Sequence, residues 1–353
     1  MIFHVILACI LVFCLFFMSQ SMSQSMYEPF QNTLSLEEFN KHFDASLIPL
    51  PMNLFALGVE ENTYKTHGNK TENGQKLLTY WMNELHPSLG KHKYYILMCP
   101  FDGYMEYTQF KEGEMTDIVP TSYPVNKFIE ETIDSDKYPI FHEKKTVFAM
   151  CKKINDKHTV LLPDIHYIQQ KGYVDTFAKI DKARVYYQNK EPLCIWRGQL
   201  DNGTNHNFLN TEGKDGLNQR KYFKKLYDEK SFPKVNFEEK KTSMEDQLKY
   251  KFILDIDGFS NTWDATVWKL YSGSVLLKTK TKWKQWYYDE LKEWEHYVPI
   301  ENDFSDLNDK IEWCIHNEDK CIKMTEKAHK FVFQRLNWDR VKQDILSSIQ
   351  GKI

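Results

Sequence analysis

Glycine is scarce, at 14 of 353 residues, and neither GxGxxG nor GxxxxGK[ST] occurs. The two common glycine loops that wrap nucleotide phosphates in backbone amides are therefore excluded. A cationic surplus is also missing: 46 Lys and Arg against 49 Asp and Glu leave a formal charge of -3. A dedicated nucleic-acid binder carries a basic balance, so no nucleic-acid partner is expected. The seven cysteines are odd in number, scattered and without a CxxC pair, which encodes neither a disulfide framework nor a metal knuckle. Cys314 and Cys321 could pair in an oxidising lumen if the chain breaks at 316–319; otherwise they are thiols. No Lys or Arg precedes Lys41, so the positive-inside rule sets no orientation for the start of the chain.

What is present begins with an apolar run over residues 2–18, interrupted only by His4. Its length is near the lower limit for a bilayer span and exceeds the usual apolar core of a signal peptide. Residues 1–18 read as a signal anchor, with a cleaved signal peptide as the alternative, and a membrane or lumenal location in the secretory pathway follows. In that setting Asn69-Lys70-Thr71 and Asn202-Gly203-Thr204 are glycosylation acceptors. Aromatic residues reach 15%; such rings fill cores, and they also stack on sugar faces.

The remaining length suits two core-bearing domains. Residues 19–73 show little periodicity and read as a stem. Residues 74–189 form a first α/β half, with a helix over 77–85, strands over 93–99, 146–150 and 159–162, and a helix over 167–180 despite Gly172. Residues 190–335 form a second half and 336–353 a final helix. In the second half Phe252, Ile253 and Leu254 make a short apolar run closed by Asp255, Asp257 and Gly258, which reads as a buried strand ending in a turn. Val275, Leu276 and Leu277 make another. The helical spacing of 263–271 between them predicts a parallel βαβ unit.

In open parallel sheets ligands bind beyond the carboxyl ends of the strands. Asp255, Asp257 and Gly258 fall at one such end. Arg197 and Gly198 follow the strand over 193–196, and a planar guanidinium fork there matches diphosphate oxygens. Arg220 and Lys221 start a basic helix over 218–227, where an anion also meets the helix dipole. Asp102 follows the strand over 93–99, where it faces a cleft or caps a turn.

Five blocks in order, WRG at 196–198, NQR at 218–220, KYKFILDIDG at 249–258, SGSVLLK at 272–278 and WYYDELKEWEHYVPIENDFSDL at 286–307, resemble the capsule-associated and protein O-glucosyltransferase family, glycosyltransferase family 90. The resemblance covers about residues 140–345 and is most specific at His296 to Pro299 followed by Asp303 to Asp306. It implies a GT-B fold, in which two Rossmann-like domains face a cleft and the second holds the donor. It further implies inverting, metal-independent transfer of glucose or xylose from a UDP-sugar to a hydroxyl on a protein or glycan, with no cofactor beyond that donor.

Carried over residue by residue, the resemblance assigns donor binding to Arg197, Gly198, Arg220, Asp257 and Gly258. Thr266 and Lys278 join them because the family's helix arginine is missing and the matching place reads Ala265-Thr266. The general base, needed because the attacking hydroxyl must lose its proton, falls on Asp102, with Asp164 as the rival. The resemblance also implies that the last helix, over 338–349, crosses back to the first half. Two other readings stay open. Asp255 and Asp257, on one side of a strand, could hold a divalent metal against a diphosphate, or the fold could bind glycan without catalysis.

Overall fold

The computed structural model describes residues 37, 54–68, 71–91, 93–100, 146–156, 159–200, 217–240, 242–258, 260–350 and 352–353. The apolar leader, Asp102, Asn69 and Lys70 of the first glycosylation tripeptide and all of the second lie outside the described residues. Among the described residues no helix is long and apolar enough to cross a membrane.

Two five-stranded sheets carry the chain. The first is built from β1 (Phe55–Glu60), β2 (Thr63–Gly68), β3 (Lys93–Cys99), β4 (Val147–Ala149) and β6 (Thr159–Leu161), in the order β2-β1-β3-β4-β6. β1 runs antiparallel to both neighbours, whereas β3, β4 and β6 are parallel. Between β4 and β6, β5 (Lys152–Lys153) leaves the sheet. Helices α1 (Glu72–Tyr80), α2 (Ile165–Gln169) and α3 (Val174–Lys182) accompany this half. The second sheet comprises β7 (Glu191–Arg197), β8 (Val235–Glu238), β9 (Tyr250–Asp255), β10 (Val275–Thr279) and β12 (Val298–Ile300), in the order β12-β10-β9-β7-β8. All its pairings are parallel. Its helices are α4 (Gln219–Asp228), α5 (Met244–Gln247), α6 (Asp264–Tyr271), α7 (Leu307–His316) and α8 (Glu318–Arg335), and α9 (Trp338–Ile349) ends the fold.

Sequence periodicity explains the second sheet. Along β9, Ile253 enters one apolar cluster while Phe252 and Leu254 enter another, as alternate side chains of a strand must. Covered on both faces, β9 reads as an unbroken apolar run. Burying each such side chain stabilises the fold by ~1.5–3 kcal/mol. β9, α6 and β10 form the expected parallel βαβ unit, with Leu254 opposite Leu277.

Two expectations are corrected and one pair of alternatives is decided. The first sheet begins well ahead of residue 74, because 55–68 form a hairpin whose inner strand is fully enclosed. Within the stretch 19–73, read as a stem, an alternation of Tyr64 and Thr66 after the buried run 55–59 was the signal. The helix expected over 167–180 is two helices, broken where Gly172 (φ +101°) and Tyr173 (φ +59°) turn left-handed. Cys314 and Cys321 are thiols, the Cys321 Sγ donating to the Cys314 carbonyl at 3.5 Å across the break at Asn317.

Two features bind the halves together. β5 pairs with β11 (Trp283–Lys284) as an antiparallel ribbon. Helix α9 lies against the first half: Trp338 meets Tyr80 edge-on at 5.7 Å and stacks on Tyr167 at 5.5 Å, and Lys342 reaches Glu84 at 3.2 Å.

Candidate functional site

A cleft of about 570 Å³ opens at the carboxyl ends of β7 and β9. This volume lies within the range of small-molecule sites, ~300–1,000 Å³. Its floor is the second half: Arg197 and Gly198 after β7, Arg220 from α4, Gly258 after β9, and Asp264 and Ala265 at the start of α6. Asn73, Ile165 and His166 of the first half form the facing wall.

Arg220 is positioned by the local sequence. Asn218 caps α4 by accepting from the Lys221 amide at 2.9 Å, which sets Arg220 in the first turn. Its guanidinium donates to the Ile256 carbonyl at 3.0 Å and the Gln199 carbonyl at 3.0 Å, joining the exits of β9 and β7. A side chain at residue 258 would put Cβ 3.2 Å from Arg220 Nη2, so the glycine there makes room for the arginine. Gly198 serves its own neighbour in the same way, since a Cβ would come within 2.9 Å of the Trp196 ring. Arg197 is held otherwise. Its fork donates to the Asn236 carbonyl at 2.9 Å and to Asn236 Oδ1 at 2.8 Å, with Glu238 3.5 Å from Nε.

Asp257, Thr266 and Lys278, expected to hold the donor, do not line this cleft. They surround Asp255 in the interior. Lys269 Nζ lies 2.5 Å from Asp255 Oδ1, Lys278 Nζ 3.1 Å from Oδ2, and Thr266 donates to Oδ2 at 2.9 Å. Thr262 donates to both oxygens at 2.8 and 3.0 Å. Burial alone would raise the Asp255 carboxyl, but the two ammonium groups outweigh it and hold it far below the usual carboxylate range. Asp257, with a single lysine at 3.4 Å, is pushed up by burial. Both Asp255 oxygens are thus already bonded to ammonium and hydroxyl groups, and Asp255 and Asp257 lie inside the fold rather than on the cleft lining.

Asp164, the rival base, is a helix cap. It is 1% exposed, accepts from the His166 and Tyr167 amides at 3.0 and 3.1 Å, and takes the Tyr173 hydroxyl on its other oxygen. Burial raises its carboxyl, against these bonds. Of the expected site residues, Arg197, Gly198, Arg220 and Gly258 are brought together.

The cleft also contains residues that pattern reading passed over. Thr242, Gln247, Asn261, Asp264 and His166 all line it. Asn261 ties the halves, donating to Cys151 Sγ at 2.9 Å while accepting from Gln285 at 2.6 Å and from the Trp263 amide at 3.0 Å. Trp263 takes φ +52°, a conformation costing a side-chain-bearing residue ~1–3 kcal/mol, and these bonds hold it there. Arg197 Nε, Thr242 Oγ1 and Trp263 Nε1, all on cleft residues, are buried without a hydrogen-bond partner.

Residues 132–350 match the family model for glycosyl transferase family 90. The chain belongs to that family. The resemblance carried by the five sequence blocks is thereby borne out. Among curated relatives of this family-90 chain, uncharacterized protein 179R of Invertebrate iridescent virus 6 is 36% identical over 118 residues, 31% of this chain and 10% of that protein. Protein O-glucosyltransferase 2 of Danio rerio is 30% identical over 102 residues, 29% of this chain and 20% of that protein. The matched stretches thus span a tenth to a fifth of these relatives. Among solved structures, Anabaena Alr3699/HepE in complex with UDP-glucose superposes with a TM-score of 0.34 at 11% identity, covering 58% of this chain and 63% of that one.

Proposed function

We propose that this chain moves glucose or xylose from a UDP-sugar to a hydroxyl on a protein or glycan, with inversion and without a metal, between two Rossmann-like halves in a GT-B arrangement. The observation that carries it is the cleft at the carboxyl ends of β7 and β9, lined by Arg197 and Arg220 and walled by the first half. Family membership supports glycosyl transfer, and the name of the Danio rerio relative favours glucose on protein. Arg220, fixed on two backbone carbonyls, offers a pre-oriented cation to the diphosphate, whose charge grows as the sugar leaves. Arg197 adds a second cation whose fork is already engaged by Asn236. Thr242 and Gln247 supply polar contacts further along the floor. Asp102, three residues beyond β3 in the sequence, takes the acceptor proton in this reading. The apolar run over 2–18 would hold the enzyme at a membrane of the secretory pathway, which fractionation of cells making the full chain tests.

A second reading, glycan binding without catalysis, rests on one observation: Ala265 and Asp264 line the cleft where the family carries an arginine. Turnover of radiolabelled UDP-glucose and UDP-xylose by the full-length protein decides between them. Transfer or hydrolysis falling by roughly 10²–10⁴-fold in Asp102→Asn, as for loss of a general base, supports the enzyme. Equal background turnover in wild type, Asp102→Asn and Arg220→Ala, with glycan still bound, would sink it. Activity that vanishes in excess EDTA and returns with Mg²⁺ or Mn²⁺ would remove the metal-free part.

A further inference from the structure

Asp264 is the one carboxylate among the described residues that line the cleft. It occupies the first turn of α6. Among the described residues it makes no ion pair, unlike Asp255 and Asp257 behind it. Burial pushes its carboxyl up, the cations His166 of the facing half and Lys269, whose Nζ is bound to Asp255, act against that, and the Asp164 carboxyl is a like-charged neighbour. The charged partners felt by Arg220 are instead Asp255 and Asp257. The cleft is therefore polarised. Around Gly198, Gln199, Arg220 and Gly258 the lining is cationic; around His166, Trp263 and Asp264 it presents an ionisable oxygen pair beside aromatic rings, the nearby Lys269 being bound to Asp255. Trp263 meets the His166 ring edge-on at 6.1 Å.

A sugar nucleotide has the same polarity. Its diphosphate is anionic and its sugar is neutral, with vicinal hydroxyls that donate hydrogen bonds and a C–H face that packs on aromatic rings. A carboxylate repels the first and accepts from the second. We propose that Asp264 is the specificity-determining residue that receives two hydroxyls of the donor sugar, placing that sugar at the Trp263 end of the cleft and keeping the diphosphate at the Arg220 end. The assignment rests on the UDP-sugar reading above. It also gives a role to the place where the family's arginine is missing: with Ala265 small and a carboxyl rather than a guanidinium at Asp264, the start of α6 is fitted to hydroxyls rather than to phosphate.

The test is calorimetric titration of the full-length protein, wild type and Asp264→Asn, with UDP, UDP-glucose and UDP-xylose. Asn keeps the shape and one acceptor oxygen, and thermal unfolding checks that the variant is folded; Asp264→Glu serves as a second variant if it is not. The expected result is that wild type prefers one UDP-sugar over UDP, and that Asp264→Asn loses about tenfold or more of that preference while UDP itself binds as tightly or more tightly. If the variant changes UDP and UDP-sugar affinity by the same factor, or if neither sugar adds affinity in wild type, the assignment of Asp264 is overturned while the nucleotide site stands. If wild type binds no UDP, the glycosyltransfer reading fails and the assignment with it.

Discussion

Asp164 lies just past β6 in the first sheet, and Asp255 closes β9 in the second. Both are removed from water, at 1% and 0% exposure. Asp164 is surrounded by amides and a tyrosine hydroxyl, and burial raises its carboxyl. Asp255 is surrounded by Lys269 and Lys278, and its carboxyl is held down despite burial. Two buried carboxyls near strand ends are thus shifted in opposite directions, up in the cap of one half and down in the ion-paired group of the other. What differs is the charge of the partners, and only the second arrangement stiffens the floor beneath a site, by anchoring the turn on which Arg220 rests.

The largest effect separating the two should come from truncation. Asp255→Ala leaves buried lysine charge uncompensated and should cost about 3–5 kcal/mol in urea unfolding, whereas Asp164→Ala, a lost cap, should cost about 1–2 kcal/mol. Equal costs would break the comparison.

Next in size is the ligand effect of the turn that Asp255 supports. Arg220→Ala should weaken UDP binding by roughly 10–100-fold, as for a hydrogen bond to a charged group worth ~1.5–3 kcal/mol. Arg197→Ala, whose fork is spent on Asn236, should weaken it less. The reverse order in calorimetry would move the phosphate to β7.

A smaller effect is the opposite response to pH. The native carboxyl of Asp164 is raised, so its stabilising share is complete below the unfolded value of ~3.9 and is lost as pH rises through the native one. The native carboxyl of Asp255 is depressed, so its share is present above ~3.9 and is lost as pH falls through the native one. Relative to wild type, Asp164→Asn, which keeps a capping oxygen, should gain stability as pH rises above about 4. Asp255→Asn should instead lose ground from about pH 3 upward and then level off. Unfolding curves with parallel slopes for both variants would contradict this. Smallest is Lys342→Ala, which removes the pair with Glu84 and should cost at most ~1 kcal/mol.

The strands most legible in the sequence are those whose whole environment is apolar. β3, β9 and β10 stand out because both faces are buried and the runs are short. Along β1 the run 55–59 is as apolar, but a glycine inside it and weak patterning before it hide its membership in a sheet. Gly172 conceals a helix break because a single glycine in a periodic run is compatible with either outcome until the Tyr173 hydroxyl finds Asp164. At the site, Arg197 and Arg220 were legible from their places after a strand and at a helix start. Thr266 and Lys278 were misplaced for the same reason that Asp255 was: carboxylates and cations near a strand end satisfy each other indoors, and a linear pattern does not say which of them keep a face to the cleft. Asp264 was passed over because it looks like an ordinary acidic residue in a first helical turn.

The packing of α9 on the first half also dictates an order of events. The faces that Trp81, Phe148 and Val160 offer share one apolar cluster with Val341, Ile345 and Ile349, and Lys91 bonds the carbonyl of Ile353. A ribosome adding ~5–20 residues per second needs roughly 10–50 s between the end of β3 and the end of α9. Until α9 is made the first half lacks its last cover, so its completion waits on the finished chain, and residues 81–85 and β6, against which α9 packs, are the segments a nascent-chain chaperone would meet bare.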